Sequence, residues 1–150
     1  MNDWLVAESL APHTEGALAP LYQAATRGEL ALPHCMACAT ALELDQTRCD
    51  QCGASDIAWP TVEPIGVVHS VTTVHRREPG LVVATQPYHV LDVELNSGHR
   101  LIMTTVGAAI DAPTIGDVAY ITFRFVGGVA VPAFSPTSST QTRRSSNDTA

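Results

Sequence analysis

The sequence predicts a mainly β protein with an α-helical N-terminus: short helices, then a rubredoxin-like four-cysteine zinc ribbon, then a five-stranded OB-fold barrel. Three observations predict this. Cys35, Cys38, Cys49 and Cys52 form the pattern C-x2-C-x10-C-x2-C, and the chain has no other cysteine. Before them lies an alanine-rich stretch of helical character. After them the pattern changes to β-branched, alternating segments separated by turn residues.

Residues 1–31 form the N-terminal helical segment. Pro20 followed by LYQAATRGEL predicts a helix with the proline in its first turn and Gly28 near its end. Leu21, Ala24 and Ala25, with Tyr22 beside them, form its apolar side. An earlier helix is expected over residues 3–10, anchored by Trp4 and Leu5. So short a segment cannot bury a core alone and must pack on the barrel, the ribbon or another chain.

Residues 32–59 form the ribbon. Two C-x2-C turns, ten residues apart, read as two knuckles supplying one metal site. Four thiolates complete zinc's tetrahedral shell, so no position stays open for substrate or water. Disulfides are the competing reading, and they suit small secreted domains. The opening residues MNDWLVAESL lack a basic start and a long apolar core, so a cytoplasmic location is expected. Iron is the rival metal; zinc is favoured because nothing else points to electron transfer. Gly53 follows Cys52, where a knuckle needs a left-handed backbone. Ala39 follows Cys38 at the equivalent place, which makes the first knuckle the less ideal. The stretch ATALELDQTR between the pairs is long enough for a small hairpin.

Residues 60–136 form the barrel, entered through the stiff connector PTVEP at 60–64. Strands are expected at 65–77, 88–95, 99–106, 118–126 and 129–134. In the second, Leu91, Val93 and Leu95 share one face and Val90, Asp92 and Glu94 the other. In the fourth, Ile121, Phe123 and Phe125 should face in, and Thr122 and Arg124 out. Five strands with one longer loop at 107–117 suit a Greek-key barrel of OB type. Residues 137–150 are rich in Ser and Thr and predict a disordered tail.

The formal net charge is -7, and the chain contains no lysine. Nine acids lie in residues 1–63 against Arg27 and Arg48 alone. Phosphate backbones attract basic surfaces, so nucleic acid is an unpromising partner. No segment approaches the roughly 20 apolar residues that span a membrane. His13, His34, His69, His75, His89 and His99 invite suspicion as ligands or bases. His34 adjoins Cys35, but four cysteines already suffice. His69 and His75 share a strand face without an identifiable nucleophile or orienting acid, and read as surface residues. No nucleophile elbow, P-loop or dinucleotide fingerprint is present.

The order of landmarks carries a resemblance. Arg27-Gly28-Glu29-Leu30 leads into Cys35-x2-Cys38; Cys49-x2-Cys52-Gly53, Trp59 and Gly66 follow. Then come Pro87-Tyr88, VLDVELNSG, Ile115-Gly116-Asp117-Val118 and Phe134-Ser135-Pro136. Over roughly residues 18–136 this resembles the zinc-ribbon/OB-fold family long catalogued as a domain of unknown function, number thirty-five in its series. Ala39 and the longer N-terminus depart from that pattern. The resemblance implies an accessory subunit of a thiolase-like enzyme, an aldolase or acyltransferase acting on acyl-CoA thioesters. Steroid side-chain CoA degradation is one such setting. The partner would carry the chemistry, this chain would be non-catalytic alone, and a two-plus-two hetero-oligomer is expected. On that reading Arg76 or Arg77 contacts the CoA phosphates or an acid of the partner, because arginine forks match phosphate oxygens. Leu81 and Val82, followed by Val83, form an apolar loop run that suits either barrel packing or partner contact. The alternative function is a nucleic-acid-binding module, since ribbons and OB barrels both serve there. A stand-alone enzyme has least support.

Overall fold

The computed structural model describes residues 3–76, 78–108 and 110–138. Among these residues one α-helix, α1 (Ala19–Ala25), precedes nine strands. Four are two-residue pieces: β1 (Leu30–Ala31), β2 (His34–Cys35), β3 (Ile57–Ala58) and β4 (Thr61–Val62). Five are longer: β5 (Ile65–Val74), β6 (Tyr88–Leu95), β7 (Arg100–Thr104), β8 (Val118–Val126) and β9 (Val129–Ser135).

The long strands form one antiparallel sheet in the order β7-β6-β5-β8-β9. A parallel bridge from Thr105 to Phe134 joins its two ends, so the sheet curls into a nearly closed five-stranded barrel. The bond from Val106 N–H to the Phe134 carbonyl, 2.8 Å, reinforces that closure. Gly66 sits where β5 crosses β6. A Cβ there would overlap the Glu94 carbonyl, so only glycine allows this approach.

Inside the barrel, Val68, Leu91, Val93, Leu95, Leu101, Met103, Ile121 and Phe134 form one core. The alternation expected for β6 is observed, with Leu91, Val93 and Leu95 buried. Leu21 of α1, Leu30 of β1 and Leu32 join the same core. The N-terminal helix therefore packs on the barrel, through the apolar side its spacing predicts. The ribbon keeps a small core of its own, Cys35, Leu42 and Cys49.

Four expectations are corrected. The segment at 3–10 is not a helix; only Glu8–Leu10 forms a 3-10 turn. Its backbone is used otherwise: Asp3 accepts the N–H groups of Leu5 and Val6, and Val6 bridges to Val82. The residues read as a stiff connector contain β4, which pairs antiparallel with β1. Between the cysteine pairs there is one bridge, His34 to Ala41, and a turn at Glu43–Gln46, instead of a hairpin. Finally, the far end of β8 reverses the expected facing. Phe125 is 55% exposed, while the Arg124 side chain is only 14% exposed. The β8–β9 hairpin outruns the barrel there, and the N-terminal segment covers its other face. Residues 139–150, which hold most of the expected disordered tail, lie outside the described residues.

Candidate functional site

Two knuckles of the same construction build the metal site. In the first, Cys35 N–H donates to the Thr40 carbonyl at 2.9 Å, and Ala39 N–H to the Cys35 carbonyl at 2.8 Å. In the second, Cys49 N–H donates to the Ala54 carbonyl at 2.8 Å, and Gly53 N–H to the Cys49 carbonyl at 2.9 Å. Each turn closes through a left-handed residue, Ala39 at φ 63° and Gly53 at φ 77°. Among the described residues, Ala39 is the one non-glycine with positive φ. It carries a strain that Gly53 does not.

This geometry brings the four Sγ atoms within 4.8 Å of one another. Cys35 and Cys52 are 3.5 Å apart, Cys38 and Cys49 3.6 Å. A disulfide needs about 2.05 Å, so these are free thiols. A tetrahedral zinc with sulfur at about 2.3 Å sets S···S distances of about 3.8 Å, which this cluster fits. The disulfide reading is thereby excluded for the described geometry. Cys35 and Cys49 are buried, Cys38 and Cys52 exposed.

The thiols do not ionise alike. The Thr40 hydroxyl, aided by the Thr40 backbone, lowers Cys38 to about 6. The backbone at Ala54 pulls Cys52 down, but hydrogen bonding with Cys35, burial and the remaining thiols push it up to about 12. Thiolates this close repel one another, and a cation among them is what makes all four stable. With four protein ligands such a centre is closed. It would fold the ribbon and activate no water.

His99 ties this module to the barrel, and sequence reasoning missed it. Its Nε2–H donates to the Pro33 carbonyl at 2.8 Å, two residues before Cys35. A carbonyl can only accept, so Nε2 carries the proton and Nδ1 accepts from the Ser97 hydroxyl, 2.7 Å away. The ring is buried, 4% exposed, and burial holds its pKa below 6.5. His34 packs edge-on against it with ring centres 4.6 Å apart, and its own Nδ1 donates to the Leu32 carbonyl. His34 is not part of the thiol cluster. His69 is an exposed residue receiving a bond from Arg100, which also pairs with Asp92. Nothing in the spacing of six histidines singles out His99; its partner is 66 positions away.

The remaining candidates lie in the loop between β5 and β6. Arg76 pairs with Glu78 at 2.7 Å and its side chain is 78% exposed. Arg77 lies outside the described residues. Leu81 is 40% exposed and Val82 half-buried. The loop is held by the N-terminal segment: Ala7 N–H donates to the Leu81 carbonyl at 2.8 Å, and Val83 N–H to the Leu5 carbonyl at 2.7 Å. Two small cavities open at its base, one of about 260 Å³ between Trp4, Tyr88 and His89, the other of about 190 Å³ beside His75 and Arg76. No cysteine lines either. A second missed feature is the buried pair of Asp3 with Arg124, which fixes the N-terminal segment to β8. Among the described residues, no helix is long and apolar enough to cross a membrane.

No protein-family model matches the chain. Comparison with solved structures gives a chain of an "Ltp2-ChsH2(DUF35) aldolase", with a TM-score of 0.69 and 28% identity over 82% of this chain and 96% of that one. The fold is thus that of a subunit so named. Among curated proteins, a "Probable enoyl-CoA hydratase alpha subunit" of Thermomonospora curvata is 34% identical over 95 residues, 63% of this chain. The matched region spans only 29% of that relative's length.

Proposed function

We propose that this chain is a non-catalytic accessory subunit of a thiolase-like enzyme acting on acyl-CoA thioesters, and a member of the family it resembles. The observation that carries this reading is the match to the aldolase subunit, which extends over nearly all of that chain. The curated relative, named as an enoyl-CoA hydratase subunit, supports the same substrate class. The closed thiol cluster fits a structural role, since it offers no reactive position.

Cys35, Cys38, Cys49 and Cys52 would hold zinc, and the metal would supply rigidity to the ribbon and no chemistry. The ribbon and the N-terminal segment would dock on the catalytic partner in a two-plus-two assembly. Arg76 and Arg77 would meet the CoA phosphates or an acid of the partner, displacing Glu78, while Leu81 and Val82 would touch partner or ligand. The direct test is co-expression with a thiolase-like partner. A stable complex, whose aldolase or acyltransferase activity disappears without this chain, is expected. A partner fully active and soluble alone overturns the reading. Acyl-CoA affinity of the Arg76→Ala, Arg77→Ala double variant in that complex tests the loop; unchanged affinity removes both arginines from the site.

A further inference from the structure

We infer that the cavity between Trp4, Tyr88 and His89 seats the pantetheine arm of a CoA thioester, a ligand class that rests on the function proposed above. Four parts of the chain wall this space of about 260 Å³: the N-terminal segment, the loop between β5 and β6, the start of β6, and the residues after β7. The walls are held in place. Trp4 Nε1–H donates to the Thr105 carbonyl at 3.1 Å, which turns the indole toward the barrel. Val83 N–H donates to the Leu5 carbonyl at 2.7 Å, and Asp3, next to Trp4, pairs with Arg124. His89 Nδ1 lies 3.0 Å from the Thr73 hydroxyl, and Ile110 packs against the barrel core. Walls fixed in advance lose little freedom when a ligand enters. Trp4 lies outside residues 18–136, which carry the family resemblance, so that resemblance does not supply this wall.

The lining selects the ligand. No Asp, Glu, Lys or Arg lines the cavity, so a charged group would find no counter-ion there. Trp4, Val83 and Ile110 make one side apolar. Gln86 and Tyr88 bring hydrogen-bonding side chains that have no protein partner among the described residues. A neutral ligand carrying both branched alkyl and amide groups matches this set. A CoA thioester has such a part, the pantetheine arm with its amides and gem-dimethyl group. Its nucleotide end is anionic and needs cations instead. The second cavity, of about 190 Å³ beside His75 and Arg76, shares residues 84–87 as a wall with the first. A ligand lying over that segment places its phosphates beside Arg76 and its neutral arm against Trp4. The order of basic and neutral cavities thus follows the order of groups along CoA.

The test is calorimetric titration of the zinc-loaded full chain, without a partner, with pantetheine, and amide shifts read by NMR. Saturable binding is expected, with shifts at residues 83–89 and 105–108 and at the Trp4 indole N–H. Ala108→Trp fills the cavity from an exposed loop position and should weaken binding about tenfold or more. The Gln86→Ala, Tyr88→Phe double variant should weaken it a few-fold through lost hydrogen bonds. Arg76→Ala should leave pantetheine affinity unchanged, because the arm carries no phosphate; a failure of the arginine assignment would show only with CoA. Hexanol, apolar but without amides, should bind more weakly. No saturation, binding unchanged by Ala108→Trp or by the double variant, equal binding of hexanol, or weakening by Arg76→Ala overturns the proposal. The chain is titrated alone, so the result stands apart from whether a thiolase-like partner is found.

Discussion

The ribbon buries Cys35, Leu42 and Cys49, whereas the barrel and the elements docked on it gather twelve residues around Leu91, Val93 and Phe134. Two of the ribbon's three core residues belong to the thiol cluster. The barrel is held by apolar area, whereas the ribbon gathers four thiols positioned to hold a metal ion. They are joined by Leu32, Leu44 and Trp59 packing on the barrel core, and by His99 reaching back to Pro33. The difference teaches that the two halves should fail separately, and for different reasons.

The largest expected effect is on the ribbon. Structural zinc in small modules contributes about 10–16 kcal/mol of binding free energy that is also folding free energy. Cys49→Ser, or chelation, should release the metal and remove amide protection across residues 34–58 while β6 and β7 stay protected. Hydrogen exchange checks this. Loss of the whole chain in one transition would show that ribbon and barrel are a single cooperative unit. Cys49→Ser should also abolish partner binding; a retained complex would show that the ribbon is not the docking element.

The converse experiment acts on the barrel. Phe134 is fully buried at the closure point, so Phe134→Ala should cost about 3–5 kcal/mol through lost contact and cavity. Thermal unfolding should shift down while zinc stoichiometry stays at one per chain. The buried Asp3–Arg124 pair gives a comparable effect confined to the N-terminal segment. Asp3→Asn leaves Arg124 without its partner and should cost about 3 kcal/mol, read as early exposure of Trp4 fluorescence.

The junction is tested by pH. His99 has a folded pKa below 6.5, so the fold prefers its neutral form. The unfolded chain binds the proton first as pH falls through 6.5. Stability at the junction is therefore complete above that value and is lost on acidification toward the lower folded value. His99→Gln retains a donor for Pro33 and cannot titrate. Its denaturation midpoint should vary less between about pH 8 and pH 5.5 than that of the wild type. An equal slope in both would free His99 of this role.

The smallest effect compares the two knuckles. Ala39 holds a left-handed backbone that costs an L-residue about 1 kcal/mol, and Gly53 holds the same backbone without that cost. Ala39→Gly should raise ribbon stability by at most about 1 kcal/mol, and Gly53→Ala should lower it by about as much. Competition with a zinc chelator reads both. If both substitutions act alike, the knuckles are not equivalent.

Much of this was legible in the chain, and the legible parts are local. The cysteine spacing specified the knuckles, and Ala39 and Gly53 sit where their positions relative to cysteine said they would. Leu91, Val93 and Leu95 faced inward as alternation required, and α1 buried the side its 3.6-residue period marked. The errors occurred where distant segments compete for the same groups. Val6 left its helix because Val82 offered a bridge, and Thr61 and Val62 became a strand because Leu30 and Ala31 lay alongside.

The sequence by itself determined the fold class, the clustering of the four thiols and the inward face of β6, because spacing and period act between neighbours along the chain. Only the tertiary structure decided that Arg124 is buried and Phe125 exposed, that His99 joins ribbon to barrel, and that Asp3 secures the N-terminus. Each of those depends on a partner more than 60 positions away or on where a hairpin outruns its core. No local pattern encodes either, because burial is a property of the packed molecule.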